Sequence, residues 1–164
     1  MAAEKKRGLV ATRIRAFGEG DAAAAAEILR RSPEAAQWTE LGFRELLGWR
    51  GVVALVNEDD ARKVSGFIVA RQAAVEAEIL NLAVMPAKRR KGEGAALLKA
   101  AVDELRARQV SRVFLEVRES NEAGVAFYLR QGFAKTGRRP AYYHDPDEAA
   151  VVMEMKLAGQ DQNT

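Results

Sequence analysis

Asn81-Leu-Ala-Val-Met-Pro86-Ala-Lys-Arg-Arg-Lys-Gly92-Glu-Gly94-Ala-Ala-Leu-Leu98 carries a strand into a basic, glycine-punctuated loop and out into a helix, and this junction decides the fold. Beyond Pro86 the hydrophobic period changes: Leu98, Ala101, Val102 and Leu105 fall at helical spacing, with Lys99, Asp103, Glu104 and Arg108 on the other faces. That pattern predicts a helix over Gly94 to Arg108. Gly92 and Gly94 stand just before it, where free backbone amides and the positive end of the helix dipole make an anion site. Glycine lets that backbone approach a phosphate closely, and Lys88, Arg89, Arg90 and Lys91 add side-chain charge to the cradle. A surface turn with solvated basic residues is the plain alternative for a Gly-x-Gly taken alone. Ala95 and Ala96 stand where a Walker loop needs lysine then serine or threonine, and Leu97 replaces the third glycine of the dinucleotide fingerprint. Nucleoside triphosphates and NAD are thereby disfavoured.

Downstream, Val113, Leu115 and Val117 alternate with Phe114, Glu116 and Arg118, so Ser111 to Arg118 reads as a strand with apolar residues on both faces. A carboxylate in its middle is unusual. Partial burial beside Phe114 suits Glu116 to a general base, and a structural salt bridge to Arg118 or Arg112 is the competing reading. Asn121 is a good N-cap for a helix over Glu122 to Arg130, and its amide could also bind a ligand lying along that helix start. Gly132 follows where a left-handed C-cap is wanted. Tyr128, flanked by Val125 and Leu129, reads as core when taken alone.

Upstream, Leu9 to Phe17 alternates as a first strand, Asp21 leads a helix over Ala22 to Arg31, and Thr39 caps a second helix ending near Trp49. Val52 to Val56 and Val64 to Ala70 form a hairpin across Asn57-Glu-Asp-Asp60, and Ala74 to Val84 continues the sheet. At the other end, Phe133 to Gly137 and Ala150 to Leu157 read as closing strands around a tyrosine-rich, proline-containing loop. The order is mixed α/β, in one domain over residues 9–158 with flexible termini at 1–8 and 159–164.

Composition narrows the chemistry. A chain of 164 residues with 48% apolar content can bury one real core. With no cysteine, catalysis must use oxygen, nitrogen or backbone groups, and a single histidine, His144, makes a metal site an unfavoured reading. The net charge of +3 is small and the basic cluster is local, which favours an anionic ligand over a nucleic-acid coat. No apolar run reaches the length of a membrane span, so the expectation is a soluble cytoplasmic protein with no membrane partner, a monomer or weak dimer.

Arg89-x-x-Gly92-x-Gly94, Leu115-Glu-Val-Arg118, Asn121 and Tyr128-x-x-x-Gly-Phe133 together resemble the GCN5-related N-acetyltransferase superfamily, across roughly residues 10–157. Within it, Leu115-Glu-Val-Arg-Glu-Ser-Asn121 and Gly137-Arg-Arg-Pro-Ala-Tyr-Tyr-His-Asp-Pro146 are similar to the bacterial ribosomal-protein alanine N-acetyltransferases. The resemblance implies a mixed central sheet of about seven strands flanked by about four helices.

It also implies acetyl-CoA as the donor. By analogy, Leu82, Ala83 and Val84 offer strand-edge backbone to the pantetheine arm and acetyl carbonyl, while Arg89, Arg90, Lys91, Gly92, Glu93, Gly94 and Ala95 hold the pyrophosphate. Asn121 also binds CoA, Glu116 is the general base and Tyr128 the general acid, with no metal. The implied acceptor is the N-terminal α-amine of a small-subunit ribosomal protein beginning with alanine, against which Tyr142, Tyr143 and Trp38 are placed. Strand-end packing is the alternative for those two tyrosines, and core packing for Trp38. Two departures stand out. Glu93 sits between the loop glycines where the superfamily commonly has an aliphatic residue, which predicts weaker donor affinity without loss of binding. Ala149 stands where the subfamily usually has aspartate, which bears on the acceptor. A small-molecule amine acceptor, or a non-catalytic acyl-CoA-binding module, are the other functions the pattern leaves open.

Overall fold

The structure, a computed structural model, describes residues 13–144 and 146–158. Its centre is one seven-stranded sheet in the order β1-β2-β3-β4-β5-β7-β6. The strands are β1 (Arg13–Ala16), β2 (Val52–Glu58), β3 (Val64–Ala73), β4 (Glu76–Val84), β5 (Arg112–Arg118), β6 (Ala134–Tyr143) and β7 (Glu148–Lys156). Four helices cover it: α1 (Ala22–Arg30), α2 (Glu40–Leu47), α3 (Glu93–Ala107) and α4 (Glu122–Arg130). Residues 1–12 and 159–164, which include the start of the predicted first strand and both predicted flexible termini, lie outside the described residues. No helix among the described residues is long and apolar enough to cross a membrane.

The elements form for local reasons. The alanines of α1 favour helix, and Pro33, which cannot continue one, follows closely. Thr39 caps α2, its Oγ1 accepting from Gly42 N at 3.0 Å. Leu97, Leu98, Ala101, Val102 and Leu105 of α3 are all buried against Val53, Leu55 and Ile68 of the hairpin, as their spacing predicts. Each fully buried leucine there contributes about 1.5–3 kcal/mol. On the opposite face α1 and α2 pack Ile28, Leu29 and Phe43 against Val56, Phe67 and Val69. Phe43 stacks on Phe17 at 5.6 Å and meets Phe67 edge-on at 5.1 Å.

The end of the molecule differs from the sequence reading. The tyrosine-rich stretch is not a loop: β6 runs on to Tyr143, paired with β7 through Tyr143↔Glu148. As the outer strand it has no core face, so its residues are exposed and carry no alternation for a sequence pattern to detect. Between Arg139↔Ala150 and Tyr143↔Glu148 its register shifts, and Ala141 takes φ +53°. A proline, a bulge and the charges of Arg138 and Arg139 are the usual means of protecting such an edge.

Gly51 is the position where the backbone demands glycine most strictly. Its φ is +76° and a Cβ there would lie 2.2 Å from the carbonyl oxygen of Gln72. Gly51→Ala is therefore expected to destabilise the fold by at least about 2 kcal/mol and to lower Tm by roughly 4–8 °C. Thermal unfolding followed by circular dichroism measures this; an unchanged Tm would contradict the assigned backbone.

Candidate active site

The cleft begins where β4 and β5 part. They are parallel neighbours for only three rungs, Glu76↔Arg112, Ala77↔Val113 and Glu78↔Phe114, although β4 continues to Val84. The cause is in β4: opposite Val69 and Ala70 of β3 stand Asn81 and Ile79, leaving Leu80 as a bulged extra residue. After the bulge the strands splay. Leu80 packs on the α1/α2 side, and Asn81 turns to the same side, donating from Nδ2 to Ala36 O at 2.9 Å. A cleft of ≈ 1220 Å³ opens there, lined by Leu80, Leu82, Ala83, Val84, the Gly92–Ala95 turn, Glu116, Asn121 and Tyr128. The backbone of β4 beyond Glu78 has no strand partner on its β5 side, so the alternate amides and carbonyls that point away from β3 face this cleft, with the Val84 carbonyl taken by Arg89.

At the mouth, the glycine loop enters α3 as the sequence predicts. Gly92 takes φ +83° as the helix N-cap, and nothing lies within 4 Å of where its Cβ would be. The amides of the first α3 turn are open to an anion. Arg89 lines the cleft beside this loop, with side-chain partners that the sequence reading did not include. Its Nε donates to Val84 O at 3.1 Å, and its Nη2 donates to Ser32 Oγ and pairs with Glu34, both at 2.8 Å. It pins the loop to β4 and to the segment after α1; Lys88 and Arg90, which line the cleft, and the exposed Lys91 have no ion-pair partner among the described residues. Glu93 is buried at 6% exposure and accepts from Ser65 Oγ at 3.0 Å, so its charge is turned into the protein, away from the outer face of the loop.

Asn121 caps α4, its Oδ1 accepting from Gly124 N at 2.9 Å. A Cβ on Gly124 would lie 2.6 Å from Asn121 Nδ2, so this cap depends on glycine. Tyr128 packs its ring edge-on to Phe127 at 5.1 Å and to Phe133 at 5.5 Å, on the α3/α4 side of the sheet. Burial pushes its hydroxyl above the ordinary tyrosine range. Leu129, its neighbour on the helix, is 46% exposed, so Tyr128 owes its setting to Val125 and Phe133.

Glu116 enters from the other face. Val113, Leu115 and Val117 pack into the α3 core, so Phe114, Glu116 and Arg118 point to the opposite side by strand alternation. Its side chain is 8% exposed and paired to Arg139 Nε at 3.0 Å. The expected partners Arg112 and Arg118 are engaged elsewhere: Arg112 with Glu76 and Glu154, and Arg118 with Glu148. Arg139 comes from β6, a pairing between strands that no local spacing signals.

Tyr142 and Tyr143 stand beside this carboxylate. The Tyr142 hydroxyl, by hydrogen bonding to Glu116 and by burial, is pushed up to about 12, and Tyr143 is raised chiefly by burial and then by Glu116. The two rings meet edge-on at 5.0 Å, and the Arg118 guanidinium lies 4.3 Å over the Tyr143 ring. Trp38 is not with them: it packs edge-on against Phe43 at 5.3 Å and is absent from the lining of the cleft. Gln37, its neighbour, lines the cleft instead.

Glu78 is the residue the sequence reading missed. It lies on the Glu116 side of the sheet, opposite Phe114 in register, and its carboxyl is held above the ordinary range by burial and by the Glu116 charge. The alternation Glu76-Ala-Glu78-Ile shows that it shares a face with Glu76, but only the parallel register brings it to Glu116.

A splayed pair of parallel strands, a glycine-led helix start at its mouth, and a carboxylate and a phenol approaching from opposite faces form a cleft of a shape suited to a long, phosphate-bearing carrier. Residues 22–133 match the acetyltransferase (GNAT) family, and the chain belongs to it. Members of that family use acetyl-CoA as acyl donor. The chain is 34% identical over 136 residues to the [ribosomal protein bS18]-alanine N-acetyltransferase of Escherichia coli (strain K12), covering 82% of this chain and 90% of that one. The crystal structure of the ribosomal-protein-S18-alanine N-acetyltransferase from Escherichia coli superposes with a TM-score of 0.79 at 31% identity, over 93% and 99% of the two chains. Ard1 from Thermoplasma volcanium superposes at 0.82 and 32% identity, over 91% and 99%.

Proposed function

We propose that this protein transfers the acetyl group of acetyl-CoA to the N-terminal α-amine of a ribosomal protein that begins with alanine. The single observation that carries the chemistry is the cleft between β4 and β5, with Glu116 on one side and Tyr128 on the other. The thioester arm lies along the unpaired edge of Leu82, Ala83 and Val84, and the pyrophosphate sits on the amides of Gly92 to Ala95 with Arg90 and Lys91 beside it. Asn121 lines the cleft, its Oδ1 capping α4 and its Nδ2 without a hydrogen-bond partner among the described residues.

A protein α-amine has a pKa of about 7.7–8.0, so much of it arrives as ammonium at neutral pH. Glu116, directly or through water, takes that proton, and the amine attacks the thioester carbonyl. The Val84 amide faces the developing oxyanion. Collapse breaks the C–S bond, the Tyr128 hydroxyl, kept protonated by its burial, gives its proton to the departing thiolate, and the second proton shed by the attacking nitrogen as it becomes an amide passes through water and restores the phenol. The acceptor's identity rests on the kinship with the Escherichia coli enzyme and on the aromatic pair Tyr142 and Tyr143 beside Glu116.

An assay of CoA release over a peptide panel and an amine panel tests this. Transfer to peptides with N-terminal alanine, and loss of transfer when that amine is blocked, is the expected result. Turnover only on small amines would replace a protein acceptor with a small-molecule one.

A further inference from the structure

The β4–β5–β7 face that bears Glu116 is otherwise a closed lattice of ion pairs. Glu76 pairs with Arg112 at 2.6 Å, Glu154 with Arg112 at 2.9 Å, Glu148 with Arg118 at 3.3 Å, and Glu116 with Arg139 at 3.0 Å. Glu78, half-buried in the same row, has no ion-pair or hydrogen-bonding partner among the described residues. Of the four arginine contacts, only that of Arg139 lands on a carboxylate lining the cleft and as fully covered as Glu116, at 8% exposure. Arg139 itself is 59% exposed and reaches in from the edge strand, one residue before the register shift at Pro140 and Ala141.

We propose that the Arg139 guanidinium is a resident stand-in for the acceptor's ammonium: it holds Glu116 in the free enzyme, leaves when the acceptor amine arrives, and that amine then lies between Glu116 and Glu78. The inference rests on the reading of Glu116 as the acceptor-side carboxylate. The exchange is of like for like, since a cation leaves a buried carboxylate as another takes its place. The charge beside Glu116 is therefore the same before and after the exchange. Withdrawal of Arg139 costs little, because a half-exposed guanidinium regains water. Glu78 gives the incoming ammonium a second acceptor that Arg139 leaves unused. The proton lost on attack has a carboxylate on either side of it. Among the described residues, the other charged or titratable groups near Glu116 are Tyr142 and Tyr143 on β6 and, around Tyr143, Arg118 on the Glu116 strand and Glu148 on β7. The last two are already paired with each other, leaving Arg139 as the cation free to exchange.

The test is competition by guanidinium chloride at millimolar concentration, with the purified full-length protein, acetyl-CoA and an alanine-initiated peptide. In the unaltered enzyme Arg139 fills the seat and guanidinium has little effect. Arg139→Ala is expected to lower KM for the peptide about three- to sixfold, because the fraction of enzyme with a free seat rises towards one. Guanidinium should now inhibit competitively against peptide and not against acetyl-CoA. Adding Glu78→Gln to Arg139→Ala should weaken that inhibition, while Arg139→Lys, which restores a cation, should return KM towards its original value. An unchanged or raised peptide KM in Arg139→Ala, or guanidinium inhibition equal in both proteins, overturns the proposal. Glu116→Gln keeps the two readings apart: full transfer by that variant removes the acceptor-side role of Glu116 itself, whereas lost transfer by Glu116→Gln together with no guanidinium competition in Arg139→Ala removes only the stand-in.

Discussion

Replacement of Glu116 by glutamine is expected to lower acetyl transfer by about 10²–10⁴-fold while leaving CoA binding within a few-fold of the original. The two effects separate because the residues differ in place. Glu116 reaches the cleft from the α1/α2 side of the sheet beside Tyr142 and Tyr143, whereas the glycine-led amides that face the pyrophosphate belong to the first turn of α3. Glutamine has nearly the shape of glutamate and keeps an acceptor oxygen, so the fold is retained, but it cannot take a proton. It also frees Arg139, whose guanidinium then has only the dipole of an amide to hold it. Rates measured across the neutral range with a saturating peptide decide the matter, and an unchanged rate would sink the proposed base.

Tyr128→Phe is the second large effect, expected to reduce kcat about 10²-fold with little change in KM for either substrate. Only an oxygen and its proton are removed, and the ring contacts with Phe127 and Phe133 remain, so stability should change little. The hydroxyl is needed after the amine has attacked, when the thiolate leaves, and this is why the loss should fall on kcat. Burial raises this hydroxyl above its ordinary value of about 10, so it stays protonated through neutral and mildly alkaline pH. The original enzyme should therefore show no loss of kcat from this group below pH about 10. An equal kcat for the phenylalanine variant would assign the proton to water instead.

Much of the donor side was legible in the chain because it is local. The change of period after Pro86, the placement of Gly92 before α3 and the capping role of Asn121 each depend on residues within a turn or two of one another. Backbone propensity and dipole act over that range, so spacing alone reports them. The limits of that legibility show at Arg89. Its position relative to Gly92 suggested an anion ligand, but Ser32 and Glu34, distant in sequence, claim its guanidinium. Trp38 was placed towards the acceptor only by resemblance, with core packing as the alternative, and it packs against Phe43 of α2 in the aromatic core.

Family membership, helix starts, the anion cradle and the strand that carries Glu116 were determined by the sequence itself, through periodicity and through motifs whose members are near neighbours. The tertiary structure alone decided what Glu116 faces. The bulge at Leu80 parts β4 from β5, the parallel register sets Glu78 beside Glu116, and the antiparallel register of β7 and β6 brings Arg139 across two strands. Strand pairing joins residues far apart in the chain, and a shift of one residue turns a side chain to the other face of the sheet. The charges that meet at the acceptor side are thus set by register, which no local stretch of sequence encodes.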